Sequence, residues 1–170
     1  ADNSLNFPDF RSAERTFSLL VQVAGRAGRG AREGKVLVQT FDPEHYALQA
    51  AVKHDYHEFY EQEIVFREAL GYPPFCNLVH LVLSSNDQAK VGRAAESLAG
   101  ELVHYGEGVE VLGPAPCPLA RLRGRSRSQI LLKAEKRMPL HRLLQYLAHL
   151  GKKIPGGVRL AVDVDPIDML

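Results

Sequence analysis

Four short apolar runs and two long helical stripes alternate across residues 76–164, and this order constrains the fold more than any other feature of the chain. Residues 76–84, 108–112, 127–134 and 158–164 read as strands, because their apolar residues run together or recur at period 2. Residues 87–105 carry Val91, Ala94, Ala95, Leu98, Leu102 and Tyr105 at helical spacing, with Asp87 placed to cap the start. Residues 139–150 do the same with Leu140, Leu143, Leu144 and Leu147, between Pro139 and Gly151. The order β-α-β-β-α-β is the split βαβ arrangement of an α+β domain, in which one face of a four-stranded sheet buries both helical stripes. Between the second and third strands, Gly113, Pro114, Pro116, Pro118 and Gly124 predict a loop over 113–124.

Upstream the pattern is less regular. Phe17, Leu20, Val21 and Ala24 recur at i, i+3, i+4 and i+7 and predict a helix over 12–28. KVLVQTF, residues 35–41, predicts a largely buried strand. Asp42-Pro43 predicts a helix start, and residues 43–53 and 55–70 read as two acidic helices split near Asp55 and stopped by Gly71. Tyr72-Pro73-Pro74-Phe75 breaks periodicity and marks a domain boundary.

Composition bounds the class. The chain has 170 residues, 45% of them hydrophobic and 24% charged, with a net charge of +1. This excludes a disordered tail, a collagen-like chain and a disulfide scaffold. No apolar run approaches the ~18–20 residues of a membrane span, and the two cysteines, Cys76 and Cys117, have no CxxC spacing. A reduced, cytoplasmic chain without membrane contact is the expectation. The chain lacks an initiator Met and reads as part of a longer protein. Its near-neutral balance hides two basic zones, Arg26–Arg32 and Arg121–Arg137. Between residues 114 and 137 basic residues outnumber acidic ones seven to one. Such blocks point to an anionic partner.

The sharpest motif is Gln22-Val23-Ala24-Gly25-Arg26-Ala27-Gly28-Arg29. On a helix, Gln22 and Arg26 are i and i+4, and Arg26 and Arg29 are i and i+3, so the three side chains share a face. Guanidiniums offer planar, bidentate donors and a charge that does not titrate away, which suits a triphosphate and a transferring phosphoryl group. An exposed basic helix end is the simpler reading of two arginines alone. Gly30-Ala31-Arg32-Glu33-Gly34-Lys35 is no P-loop: one residue is missing between its glycines, and Val36 replaces the hydroxyl after Lys. With no Walker A motif and no Asp-Glu pair, the chain is expected to be unable to hydrolyse ATP alone.

The full QxxGRxGR string resembles motif VI of superfamily 2 helicases. The resemblance extends from ADNSLNFPDFRSAERTFSLLVQVAGRAGRG through YPPF and VEVLGPAPCPLARLRGRSRSQILLK to VDVDPID, in the order of the primosomal protein N′ family of bacterial replication restart helicases. The resemblance implies that residues 1–41 end the second, RecA-like helicase lobe, that 42–71 connect, and that 72–170 form a C-terminal domain similar in fold to a small ribosomal protein. It implies a 3′-to-5′ DNA helicase acting at stalled forks, with Gln22, Arg26 and Arg29 facing the nucleotide γ-phosphate and Arg26 and Arg29 catalytic. It also implies ATP with Mg²⁺ and structural zinc in the complete protein, neither assigned to this segment. The expected partners are forked and single-stranded DNA, other primosome proteins, and the acidic C-terminal tail of single-stranded DNA-binding protein.

Arg121, Arg123, Arg125 and Arg127 alternate, so an extended chain would project all four to one side, suited to a DNA backbone. Ser126 and Ser128 stand where bases would need aromatic stacking partners. By resemblance, Arg125 and Gln129 are the expected contacts of the acidic tail. The remaining clusters read as structural. His54, His57, Glu58 and Glu61 belong to an exposed acidic helix, Asp163, Asp165 and Asp168 to a strand end and turn, and His80 is a core or partner-facing histidine. The alternative to a helicase segment is a non-enzymatic, ribosomal-type nucleic-acid-binding module, which leaves QVAGRAGR without a purpose.

Overall fold

A computed structural model describes residues 1–27, 35–150 and 154–169. The chain divides into two compact units, Ala1–Leu70 and Gly71–Leu170.

In the first unit a short helix α1 (Asp2–Leu5) precedes α2 (Ser12–Ala27), α3 (Tyr46–Lys53) and α4 (Tyr56–Ala69). Phe17 of α2 stacks on Phe59 of α4, with ring centroids 4.5 Å apart, and Ala47, Leu48, Ala50 and Ala51 of α3 close the cluster. The helix break falls at His54, in the left-handed region at φ 54°, and the Asp55 carboxylate caps α4 by accepting from Glu58 N at 3.0 Å. Two expectations fail here. Residues 35–41 form no strand, and Leu37 and Phe41 are each 96% exposed. A strand needs a neighbour for its amides, and among the described residues this unit has none. Its Thr40 hydroxyl and Phe41 amide donate instead to the Asp2 carboxylate. Helix α3 starts three residues later than Pro43 because 42–45 form a turn, and His45 Nδ1, not Asp42, caps it by accepting from Ala47 N.

The second unit runs β1 (Asn77–Ser85), α5 (Gln88–Tyr105), β2 (Glu110–Leu122), β3 (Arg125–Ala134), α6 (Arg137–Leu150) and β4 (Arg159–Val164). The strands form one antiparallel sheet in the order β2-β3-β1-β4, the topology that the split βαβ reading requires. Val79, Leu81 and Leu83 of β1 and Ile130 and Leu132 of β3 face the helices. They meet Leu98 and Leu102 of α5 and Leu140, Leu143 and Leu147 of α6. Asp87 caps α5, accepting from Lys90 N. Tyr105 does not join this core. It is 51% exposed and packs on Tyr146, with centroids 4.1 Å apart.

The main departure is the stretch 113–124, which is strand rather than loop as far as Leu122. Three prolines are tolerated because β2 is an edge strand, where a missing N–H leaves no inner ladder bond unmade. Two register shifts, between Leu112 and Ala115 and between Pro116 and Arg121, absorb the irregularity. Gly113 sits at the first shift with φ +102°, and a Cβ there would lie 2.9 Å from the Gln129 carbonyl oxygen of β3. Both facts require glycine. Gly113→Ala should lower unfolding stability by about 1–3 kcal/mol. Gly100→Ala in α5, with nothing within 4 Å, should raise it by about 0.5–1 kcal/mol. Urea melts of the two variants check the contrast.

Candidate nucleic-acid and partner interface

The sheet has a second face, away from the helices. It is composed of the alternate residues: His80, Val82 and Ser84 from β1, Arg125, Arg127 and Gln129 from β3, and Arg159, Ala161 and Asp163 from β4. One end is covered: Leu78 is fully buried and His80 only 3% exposed, and Lys133 Nζ lies 4.9 Å from the Tyr72 ring centroid. The other end opens into a groove of about 490 Å³ edged by Leu122, Arg123 and Asp168.

Arginines converge on Ser84 in this groove. Arg127 of β3 and Arg159 of β4 stand opposite Ser84 on its two flanking strands. Arg125 reaches across from β3, donating from Nη2 to the Ser84 carbonyl at 2.9 Å and the Gly157 carbonyl at 3.4 Å. Neutral carbonyls orient that guanidinium without cancelling its charge. Arg127 Nη1 is enclosed and has no hydrogen-bond partner among the described residues. Asp163 and Asp168 border the groove and offset part of its positive charge.

The expectation of four arginines on one side of an extended chain is corrected. A two-residue turn, Arg123-Gly124, with φ 49° and 79°, separates β2 from β3, as in the tight hairpins that favour glycine in the second turn position. Across it Leu122 pairs with Arg125 and Arg121 with Ser126. Cross-strand partners share a face, so Arg121 points with Ser126 and Ser128 to the helix side, while Arg125 and Arg127 point to the open side. Gln129 shares their face. Its Nε2 donates to the Pro116 carbonyl at 3.4 Å and its Oε1 meets His80 Nε2 at 2.9 Å. Arg159 was not singled out by sequence. The signal was available: it occupies the same strand phase as Asp163, which faces His80 across the ladder.

The other candidates lie apart from the groove or outside the description. Gln22 and Arg26 are exposed on α2, whereas Arg29 lies outside the described residues. His57 Nδ1 and Glu61 Oε1 are 3.3 Å apart on an exposed helix face, and Glu58 pairs with Lys53. Asp165, at φ 52°, lies 3.8 Å from Arg137. No group of three metal-ligating side chains occurs among the described residues. Burial raises both the Cys76 and Cys117 thiol pKa values, Arg127 opposing the rise at Cys117. No described helix is long and apolar enough to cross a membrane.

The model of the primosomal protein N C-terminal domain family matches residues 68–167. The chain belongs to this family. Its curated relatives include the replication restart protein PriA of Bacillus subtilis, 39% identical over the whole of this chain and 22% of that protein. Those of Synechocystis and Treponema pallidum are 40% and 42% identical over 99% and 100% of the chain, and 20% and 26% of their own lengths. The chain thus spans about a fifth to a quarter of these PriA proteins. The family match contains the whole sheet and both of its helices, so the arginine groove lies within the matched residues.

Proposed function

We propose that this chain is the C-terminal part of an ATP-dependent 3′-to-5′ DNA helicase that recognises stalled forks and promotes primosome assembly and replication restart. In this reading residues 1–41 end the second helicase lobe, 42–71 connect, and 72–170 bind DNA and partners. Gln22, Arg26 and Arg29 face the γ-phosphate of ATP bound with Mg²⁺ by upstream Walker motifs, and structural zinc belongs to an upstream module. The open sheet face takes an anionic partner, either a DNA backbone or the acidic tail of single-stranded DNA-binding protein. The observation that carries the surface assignment is the gathering of Arg125, Arg127 and Arg159 around Ser84 on the open sheet face.

The direct test is fluorescence anisotropy of the 170-residue chain with a labelled fork, single-stranded DNA and an acidic peptide, each across a salt series. Four groove arginines, counting Arg123, set the scale for single-stranded DNA. Log affinity should fall with log salt at a slope of about −3 if each meets one phosphate. Arg123→Ala with Arg159→Ala should flatten the slope by about one to two. Both side chains are exposed and make no hydrogen bond among the described residues, so the fold should survive. A slope near zero would remove the phosphate-led reading.

A further inference from the structure

We infer that the free edge of β4 pairs antiparallel with β4 of a second copy of this chain, joining the two sheets into one.

Strand β4 lies at one edge of the sheet. It reads RLAVDV, with no proline and no lysine. Its register with β1 runs from Arg159 to Val164 without a shift. Prolines, edge lysines and bulges are the usual means of closing an edge, and β4 has none of them. Its outward N–H and C=O groups are therefore free to pair with an added strand. The side chains beside that edge sort by face. Arg159, Ala161 and Asp163 lie on the open face, while Leu160 and Val162 stand with Leu83 and Leu81 on the helix face. Neither Arg159 nor Asp163 has an ion pair among the described residues. On the helix face, a groove of about 530 Å³ runs between α6 and β4, lined by Leu144, Leu147, Ala148, Ile154, Leu160 and Val162. Val162 is 45% exposed in it.

The charge pattern of β4 selects a second copy as the occupant. In an antiparallel pair centred on Ala161, that residue faces its own copy. Arg159 then stands opposite Asp163 of the second chain, Asp163 opposite its Arg159, and Leu160 and Val162 opposite each other. Opposed charges of unlike sign favour a strand pair, and like charges disfavour it. An in-register parallel pair would instead set Arg159 against Arg159 and Asp163 against Asp163. The antiparallel arrangement is two-fold and self-complementary, so it closes at two copies. It also brings the second chain's Leu160 and Val162 beside the apolar groove, taking that surface out of water. A contact of six residues a side plus this groove is small, so the dimer is weak.

The test is analytical ultracentrifugation of the 170-residue chain, free of nucleic acid, from about 5 to 500 µM, where a small interface associates. The mass should rise toward that of two chains. Arg159→Asp and Asp163→Arg should each weaken association about tenfold or more, since each turns two attractive pairs into two repulsive ones. An equal mixture of the two variants should associate again, because every opposed pair across the interface is then unlike in sign. Circular-dichroism melts check that the variants fold. If one does not, Val162→Lys, which puts a charge into the apolar contact, takes its place and should give the same loss. A chain that is monomeric throughout would overturn the inference. Association that the reversals leave unchanged would do so too, placing the contact elsewhere, at exposed side chains such as Leu37 and Phe41. Single variants that the mixture fails to rescue would overturn the antiparallel register and the inference with it. A monomeric chain that binds a labelled peptide of residues 158–164 would give the edge to a strand of another protein, again overturning it.

Discussion

On the helicase reading proposed above, replacing Arg26 and Arg29 by alanine in the complete protein should lower DNA-stimulated ATP hydrolysis by about a thousandfold or more, the range of an arginine that stabilises a transferring phosphoryl group. Helix α2 supplies the geometry. Gln22 and Arg26 are one turn apart and exposed, on the side away from Phe17 and its aromatic partners. Arg26 makes no hydrogen bond or ion pair among the described residues, so its removal should leave the unit folded. Nucleotide affinity should change far less than turnover if both arginines act mainly in the transition state. Steady-state ATPase assays with single-stranded DNA, alongside a thermal melt, separate the outcomes. Unchanged turnover would reduce the motif to a basic helix end.

The second large effect is expected at Arg67. Its Nε donates to Glu63 Oε1 at 2.7 Å and its Nη2 to Glu14 Oε2 at 2.8 Å, while its guanidinium carbon lies 5.4 Å from the Phe10 ring centroid. Glu63 is only 6% exposed and also accepts from the Tyr46 hydroxyl at 2.6 Å. Arg67→Ala strands that carboxylate with a neutral partner, and breaking a buried pair in this way costs about 3 kcal/mol or more. The same carboxylate, with burial as the larger cause, pushes the Tyr46 hydroxyl well above its ordinary range. Glu14 has a second cation: hydrogen bonds from Arg11 first, then Arg67, hold its pKa at about 2 against burial. A depressed carboxylate contributes stability that is full above its unfolded value near 4.5 and disappears as pH falls through about 2. At 31% exposure that contribution is only about 1 kcal/mol. Urea melts followed by circular dichroism should show the Arg67 loss at pH 7 and a further decline of the unsubstituted chain between pH 5 and 2. A change below about 1 kcal/mol for Arg67→Ala would make the cluster an ordinary surface network.

How much of this was legible in the sequence depends on where the information resides. The helical stripes of α5 and α6, Tyr105 apart, and the cap at Asp87 are local, and they fall where periodicity put them. The β2 segment was misread because proline content reports a missing N–H, not where the strand will lie. Only the sheet order reveals that Pro114, Pro116 and Pro118 occupy an edge. The Arg123-Gly124 turn carried a signal, an X-Gly pair between two strand-like stretches, but the loop reading of 113–124 concealed it. Residues 35–41 have strand composition without a neighbour, and composition alone cannot supply one. The groove is the least local feature. Arg159 and Arg127 are 32 positions apart in sequence and meet only because β1 pairs with both of their strands. His80 was placed on a strand, but its bond to Gln129 depends on the register of two strands separated by a helix and a further strand.

The prolines of β2 have a consequence for the sheet as an assembly. A strand that cannot donate at three of its positions is a poor template for another chain, so that side of the domain resists edge-to-edge aggregation. The hairpin tip beyond it can therefore carry arginines out into solvent without the strand behind them recruiting a second molecule.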